Sequence, residues 1–293
     1  MKAATFIKLS FIPAIAIPAC ANAAGVLGAA DGYNVFTKGN FWSQYSDTEG
    51  KMAVGGNLTA NGYSIGIKSG SSETNVQVKG NLNFSNGSIN GKSLVDGTAN
   101  VSSANTGGIG KGVTIDFDTA FNDLSQKSAS WFNLTANGVV TKPYSTLNFT
   151  GHDSKLNIFT IDGDALWNAS DIKFDVAAGS TVLVNVTGKN VKFKNYGYGL
   201  NNLSRTNLLW NVADATTVNY DYLEGSLLAT KADVTTGWGV INGQVISNSW
   251  SGNSQINNYT FAGNLPTQPV PEPATIAVLS VGAAALLKRR KKA

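Results

Sequence analysis

The sequence predicts an all-β protein, a right-handed parallel β-helix with one long α-helix packed alongside. Three observations carry that expectation. Glycine supplies 32 of the 293 residues while only 14% are charged, a composition of turn-rich β chains rather than helical ones. A Gly-Asn-apolar phrase returns as Gly39-Asn40-Phe41, Gly56-Asn57-Leu58 and Gly80-Asn81-Leu82, at spacings of 17 and 24 residues, close to the length of a solenoid turn. Apolar and polar residues alternate over much of the chain, the pattern of strands buried on one face.

Residues 1–23 carry Lys2 and Lys8, then an apolar run from Leu9 to Ile17, then Ala21-Asn22-Ala23. A basic start, a short apolar middle and a small-x-small site make a secretory signal peptide, with Ala21 and Ala23 marking the cleavage site. Cys20, the single cysteine, offers a lipoprotein box as the alternative, which Pro18 fits poorly. The exported domain, residues 24–264, is thus expected to hold no disulfide.

Within it, Asp47–Gly66 mixes short apolar pieces (Met52-Ala-Val54, Leu58, Tyr63, Ile65) with Gly and Asn, which supply positive-φ turns. Val76–Val78 and Leu82–Phe84 read as strands, and residues 100–112 as a loop. The glycine-free run from Asp116 to Leu134 places Phe117, Ala120, Phe121, Leu124, Trp131 and Leu134 at helical spacing, with a polar break at Ser128. Asp116 or Asp118 can cap this helix and Gly138 can close it. The turn phrase returns loosely at Gly163-Asp164-Ala165-Leu166. Alternation then resumes at Ile172, Phe174 and Val176, at Val182, Val184 and Val186, at Val191 and Phe193, and at Val218, Tyr220 and Tyr222.

A linker (265–273) leads to an apolar run (274–287) and a basic end (288–293). Fourteen residues make a helix of about 21 Å against a hydrocarbon core of about 30 Å, short but able to reside in a membrane. Val270-Pro271-Glu272-Pro273, then Ala274–Leu287, then Lys288–Lys292 together resemble the PEP-CTERM sorting signal. The resemblance implies, after signal peptidase, an exosortase-type transpeptidase and delivery to the cell surface or matrix of a Gram-negative bacterium. A plain membrane anchor that is never cut is the alternative.

Little in the domain points to chemistry. Between Ala24 and Val270 there are 15 Lys/Arg against 17 Asp/Glu, a net charge of −2, so no basic face for nucleic acid is expected. His152 is the single histidine, which excludes a histidine-based zinc site and a Ser-His-Asp triad. Asp47 with Glu49, Asp162 with Asp164, and Asp171 with Asp175 are candidate acid pairs for glycan cleavage, but each reads as a turn or solvent-facing pair. Asp162-Gly-Asp164 and Asp47/Glu49 also offer oxygens for Ca²⁺, without the twelve-residue loop pattern. Gly107-Gly-Ile-Gly110 lacks the Lys-Ser/Thr ending of a phosphate loop. No cofactor is expected. Trp42, Tyr45, Tyr63, Trp238, Trp250 and Tyr259 sit among Gly, Asn and Ser and read either as a carbohydrate- or protein-binding surface or as caps on the stack.

Asp47-x-Glu-Gly-Lys-Met-Ala-Val-Gly-Gly-Asn57, with Tyr33-Asn-Val-Phe36 before it and Leu228–Val234, Asn242–Ser247 and Asn257–Phe261 near the end, resembles the choice-of-anchor A domain. Ser247 departs mildly from its pattern. The resemblance implies an adhesive, ice-binding-like β-solenoid paired with a surface anchor, and brings no catalytic residues. The expected function is a non-enzymatic surface or matrix protein that adheres to exopolysaccharide or to other cells. A carbohydrate-active enzyme on the same fold is the alternative. Ice binding ranks last, because Thr181, Thr187, Thr216 and Thr217 form no regular row.

Overall fold

The computed structural model describes residues 25–267. Ala21, Ala23, Val270–Pro273, the apolar run and the basic end lie outside them. Among the described residues, twenty-one strands wind into one coiled sheet, and four more form a smaller sheet at one end. The expected parallel β-helix is present.

Each complete coil has three faces. The first uses strands Tyr33–Thr37, Phe41–Gln44 and Asp47–Thr48 on faces one, two and three. Lys51–Val54, Leu58–Asn61 and Ser64–Ile65 form the second, and Thr74–Val78, Leu82–Ser85 and Ser88–Ile89 the third. In register, Phe41 lies opposite Leu58, and Leu58 opposite Leu82. The Gly-Asn phrase is therefore one corner repeated. Gly56 N–H donates to Gly39 O at 2.9 Å and Gly80 N–H to Gly56 O at 3.0 Å. Asn40 Oδ1 accepts from the Asn57 amide, and Asn57 Oδ1 from the Asn81 amide, each at 2.8 Å. A fourth coil continues the ladder through Gly97 and Thr98, whose N–H donates to Asn81 Oδ1 at 2.8 Å.

That fourth coil corrects the expected loop at 100–112. Ala99–Ser102, Asn105–Thr106 and Ile109–Gly110 are strands. Ala99–Ser102 pairs with Leu82–Ser85 at the end of the stack, where its side chains meet solvent, so no buried alternation announces it.

The chain then crosses face one and enters helix α1 (Phe117–Phe132). The Asp116 carboxylate caps it, accepting from Thr119 N–H at 3.1 Å. Gly138 does not close it, since α1 stops at Asn133. Instead, Gly138 N–H donates to Ile158 O at 3.1 Å, and its missing Cβ leaves room for the Phe159 ring. Sixteen residues span about 24 Å, about five strand spacings. From the far end the chain coils back. On face one, Ile158 lies opposite Leu183, Val184 opposite Trp210, and Leu227 opposite Val245. The last coil docks on the first: Val245 opposite Val35, Trp250 opposite Phe41, Ile256 opposite Thr48. The loose fourth phrase at Gly163 is not another corner. It is a short helix, α2 (Gly163–Trp167), capped by Asp162.

Face one is buried on both sides. Phe36, Ala53, Leu183, Leu209, Leu228 and Ile246 point outward into one cluster with Phe117, Phe121, Leu124 and Trp131 of α1. This is why Thr181–Thr187 is almost wholly buried rather than alternating. The polar break at Ser128 is a clamp. Its hydroxyl donates to Asn211 Oδ1 at 2.6 Å, and Asn211 Nδ2 donates to Ser128 O at 2.9 Å and to Asn185 Oδ1 at 2.8 Å. After the last coil, the chain runs back along the stack. Tyr259 packs under Arg205 at 4.7 Å, Asn264 N–H donates to Thr181 Oγ1 at 2.8 Å, and Pro266 O accepts from Trp131 Nε1 at 2.8 Å. At the other end, Gly28 lies against Asp123 and Lys127 of α1. Both ends of the described chain therefore leave from the helix-covered side.

Candidate binding face and its corner

With face one covered, face two is the broad uncovered surface. It runs unbroken from Asn190–Phe193 to Ala99–Ser102. Its inward residues, among them Val218, Val234, Trp250, Phe41 and Leu58, are buried. Its outward row includes Asn219, Thr235, Ser251, Trp42, Thr59 and Asn83, held in register by those same pairings. Several side-chain amides are already engaged between coils: Asn219 Nδ2 donates to Thr235 O at 3.1 Å and Asn100 Nδ2 to Asn83 Oδ1 at 2.9 Å.

The turn from face two to face three repeats as closely as the glycine corner. Tyr45, Gly62, Asn86 and Ser103 occupy the same place in successive coils, with φ of 51°, 61°, 53° and 50°. Left-handed backbone suits glycine and tolerates asparagine, but is costly for a bulky side chain. Tyr45 is nonetheless 62% exposed, its ring lying over Gly62. Trp42 of the same coil is 41% exposed, and Trp238, at this turn two coils away, is 68% exposed.

The remaining aromatic candidates divide. Tyr63 and Trp250 are buried, which corrects their reading as surface residues: strand register turns Trp250 inward, where it stacks on Phe41 at 5.8 Å and 7°, and the turn between Leu58–Asn61 and Ser64–Ile65 carries Tyr63 inward, where its hydroxyl bonds Thr48 Oγ1 at 2.8 Å. Tyr259 belongs to the return segment.

The acid pairs are structural or solvated. Asp47 and Glu49 are not free turn residues. Glu49 is buried, paired with Lys68 at 2.7 Å and accepting from Asn258 N–H at 2.9 Å. Burial, then the neighbouring Glu49 charge, raises the Asp47 carboxyl above its ordinary range. Asp162 caps α2, accepting from Asp164 N–H at 2.9 Å. Asp171 and Asp175 flank the buried Ile172 and Phe174 and point away from the core. His152 is exposed. Glu224, which the sequence did not single out, is buried beside Arg205 at 3.2 Å. Burial, then the hydrogen bond to Glu224, pushes the Tyr222 hydroxyl up to about 12. Among the described residues no cluster of three metal-ligating side chains occurs, and no helix is long and apolar enough to cross a membrane.

Residues 26–258 match the family described as "Putative Ice-binding-like adhesive domain". The chain belongs to this ice-binding-like adhesive family. Residues 269–292 match the PEP-CTERM protein-sorting motif, in agreement with the resemblance carried by Pro271-Glu272-Pro273. An adhesive domain followed by that motif is the arrangement of an exported bacterial surface protein, and the motif implies processing by an exosortase-type enzyme. No curated protein matches the sequence. Solved structures similar to this family member include an ice binding protein from an Antarctic biological consortium, 13% identical, covering 86% of this chain and 95% of that one, with a TM-score of 0.36. Another comes from the ascomycete Antarctomyces psychrotrophicus, 17% identical over 82% of this chain and 98% of that one, TM-score 0.33. The DUF3494 domain of a Shewanella frigidimarina ice-binding protein is 11% identical over 83% and 98%, TM-score 0.30.

Proposed function

We propose that this protein is a non-enzymatic adhesin of a Gram-negative cell surface or matrix, engaging exopolysaccharide or other cells through its uncovered faces. The observation that carries this reading is the division of the surface. Both ends of the described residues lie on the side covered by α1, which supports an orientation in which face two and its corner point away from the attachment. Signal peptidase acting after Ala23 and an exosortase-type transpeptidase acting at Val270–Pro273 would deliver it there, the apolar run holding it in the membrane until processing.

Two alternatives are weaker. An enzyme would need an exposed, convergent acid pair, whereas Glu49 and Asp162 are committed to internal partners and Asp171 and Asp175 stand at opposite ends of one strand, about 13 Å apart. For ice, a flat regular row is wanted, and the outward row mixes Asn, Ser and Thr with a protruding Trp42.

Cells displaying the protein should adhere to polysaccharide-coated surfaces better than cells lacking it, with no release of reducing ends from the coating. Surface fractions should contain protein that lacks residues 274–293. Polysaccharide cleavage abolished by a single Asp substitution, or surface protein retaining the full C-terminal end, would overturn this reading.

A further inference from the structure

We propose that the corner between faces two and three binds an uncharged polysaccharide laid along the stack, with Trp42, Tyr45 and Trp238 stacking on its sugar rings. The inference rests on the adhesive reading and names the ligand class.

Charge is the first argument. Across six adjacent coils, segments 235–241, 250–257, 42–46, 59–64, 83–88 and 99–106 contain no Lys, Arg or His, and the charges bordering them are carboxylates, Asp47 opposite Ser64 and Asp221 in the coil next to Trp238. An anionic polymer finds no counter-charge there. A neutral polyhydroxyl chain needs none and is served by short amides and hydroxyls.

Strain is the second. Tyr45 holds the left-handed conformation (φ 51°) where the next coil uses Gly62 and later coils use Asn86 and Ser103. Glycine would hold the turn at lower cost. The tyrosine ring is largely exposed, so burial does not offset the strain. A bulky aromatic kept there at a cost to folding is the mark of a surface role.

Spacing is the third. Trp42 stands three residues back from Tyr45 on face two, in line with Thr235. Trp238 lies two coils from Tyr45, about 10 Å along the stack at one strand spacing per coil. That separation matches a disaccharide step in an extended glycan. Aromatic rings with a polar edge suit the apolar face and hydroxyl rim of a pyranose. The other exposed aromatics lack this setting. Trp167 lies beneath the Lys192 and Lys194 ammonium groups at 5.4 and 5.3 Å, and Tyr144 projects alone from a turn.

The test is affinity electrophoresis of the full chain through gels containing a neutral glucan, a neutral xylan or the anionic polymer alginate, with melting measured in parallel. At least one neutral polymer should retard the protein. Trp42→Ala and Trp238→Ala should each weaken retardation by about tenfold with the melting midpoint unchanged. Tyr45→Gly should weaken it similarly while raising the midpoint, which separates a ligand role from a folding role. Retardation by alginate alone, or corner variants that bind like the parent, would overturn the inference and leave adhesion standing. A parent that binds no polymer and confers no adherence would overturn both.

Discussion

Replacing Trp250 with alanine is expected to destabilise the domain by about 3–5 kcal/mol, the range for deleting a fully buried large aromatic. Trp250 belongs to the last coil but stacks on Phe41 of the first at 5.8 Å, with Tyr220 on its other side at 5.7 Å. It therefore closes the junction between two blocks laid down at opposite ends of the chain. The adjoining contact from Gln44 N–H to Asn253 Oδ1 spans 209 residues. Because α1 packs on coils from both blocks, the variant should still unfold in one transition, at lower denaturant. Chemical unfolding followed by both circular dichroism and tryptophan fluorescence checks this. Two separated transitions in the parent protein would show that the blocks are independent and that the junction does not bind them.

The second large effect is expected at Gly56→Ala, with a loss of about 3 kcal/mol, the upper part of the range for overpacking. A Cβ there would sit 2.5 Å from Asn40 Oδ1 and 2.6 Å from the Gly39 carbonyl carbon. Those atoms belong to the inter-coil ladder and cannot retreat without breaking it. Gly237→Ala is the matched control. A Cβ at Gly237 meets nothing within 4 Å, so its change should stay within about 0.5 kcal/mol. Equal melting of the two variants would contradict the ladder as a source of rigidity.

The repeating Gly-Asn corner was legible in the sequence because each coil imposes the same steric demand: no Cβ at the glycine, and an amide oxygen able to reach the next coil. The start of α1 was legible for a similar local reason, the Asp116 cap ahead of a helical stripe. What escaped depends on the third dimension. Trp250 and Tyr63 looked like surface residues because their neighbours are Gly, Asn and Ser, yet the register of its strand decides which way Trp250 points, and the place of its turn in the coil which way Tyr63 does. The strands within 100–112 escaped because an end coil has few residues to bury. The docking of the last coil on the first leaves no local trace, since no short stretch records which distant strand it will pair with. Of the corner, Trp42, Tyr45 and Trp238 were already among the candidates. The missing signal was the absence of cationic residues at one repeated turn, which becomes visible only once the coils are aligned.

The most direct measurement is oxidative footprinting of the protein bound to its polysaccharide or cell surface. Binding through the uncovered corner predicts protection of Trp42, Tyr45 and Trp238, with Trp167 and Tyr144 as reactive as in the free protein. Protection of Trp167 or Tyr144, with the corner still fully reactive, would contradict the account.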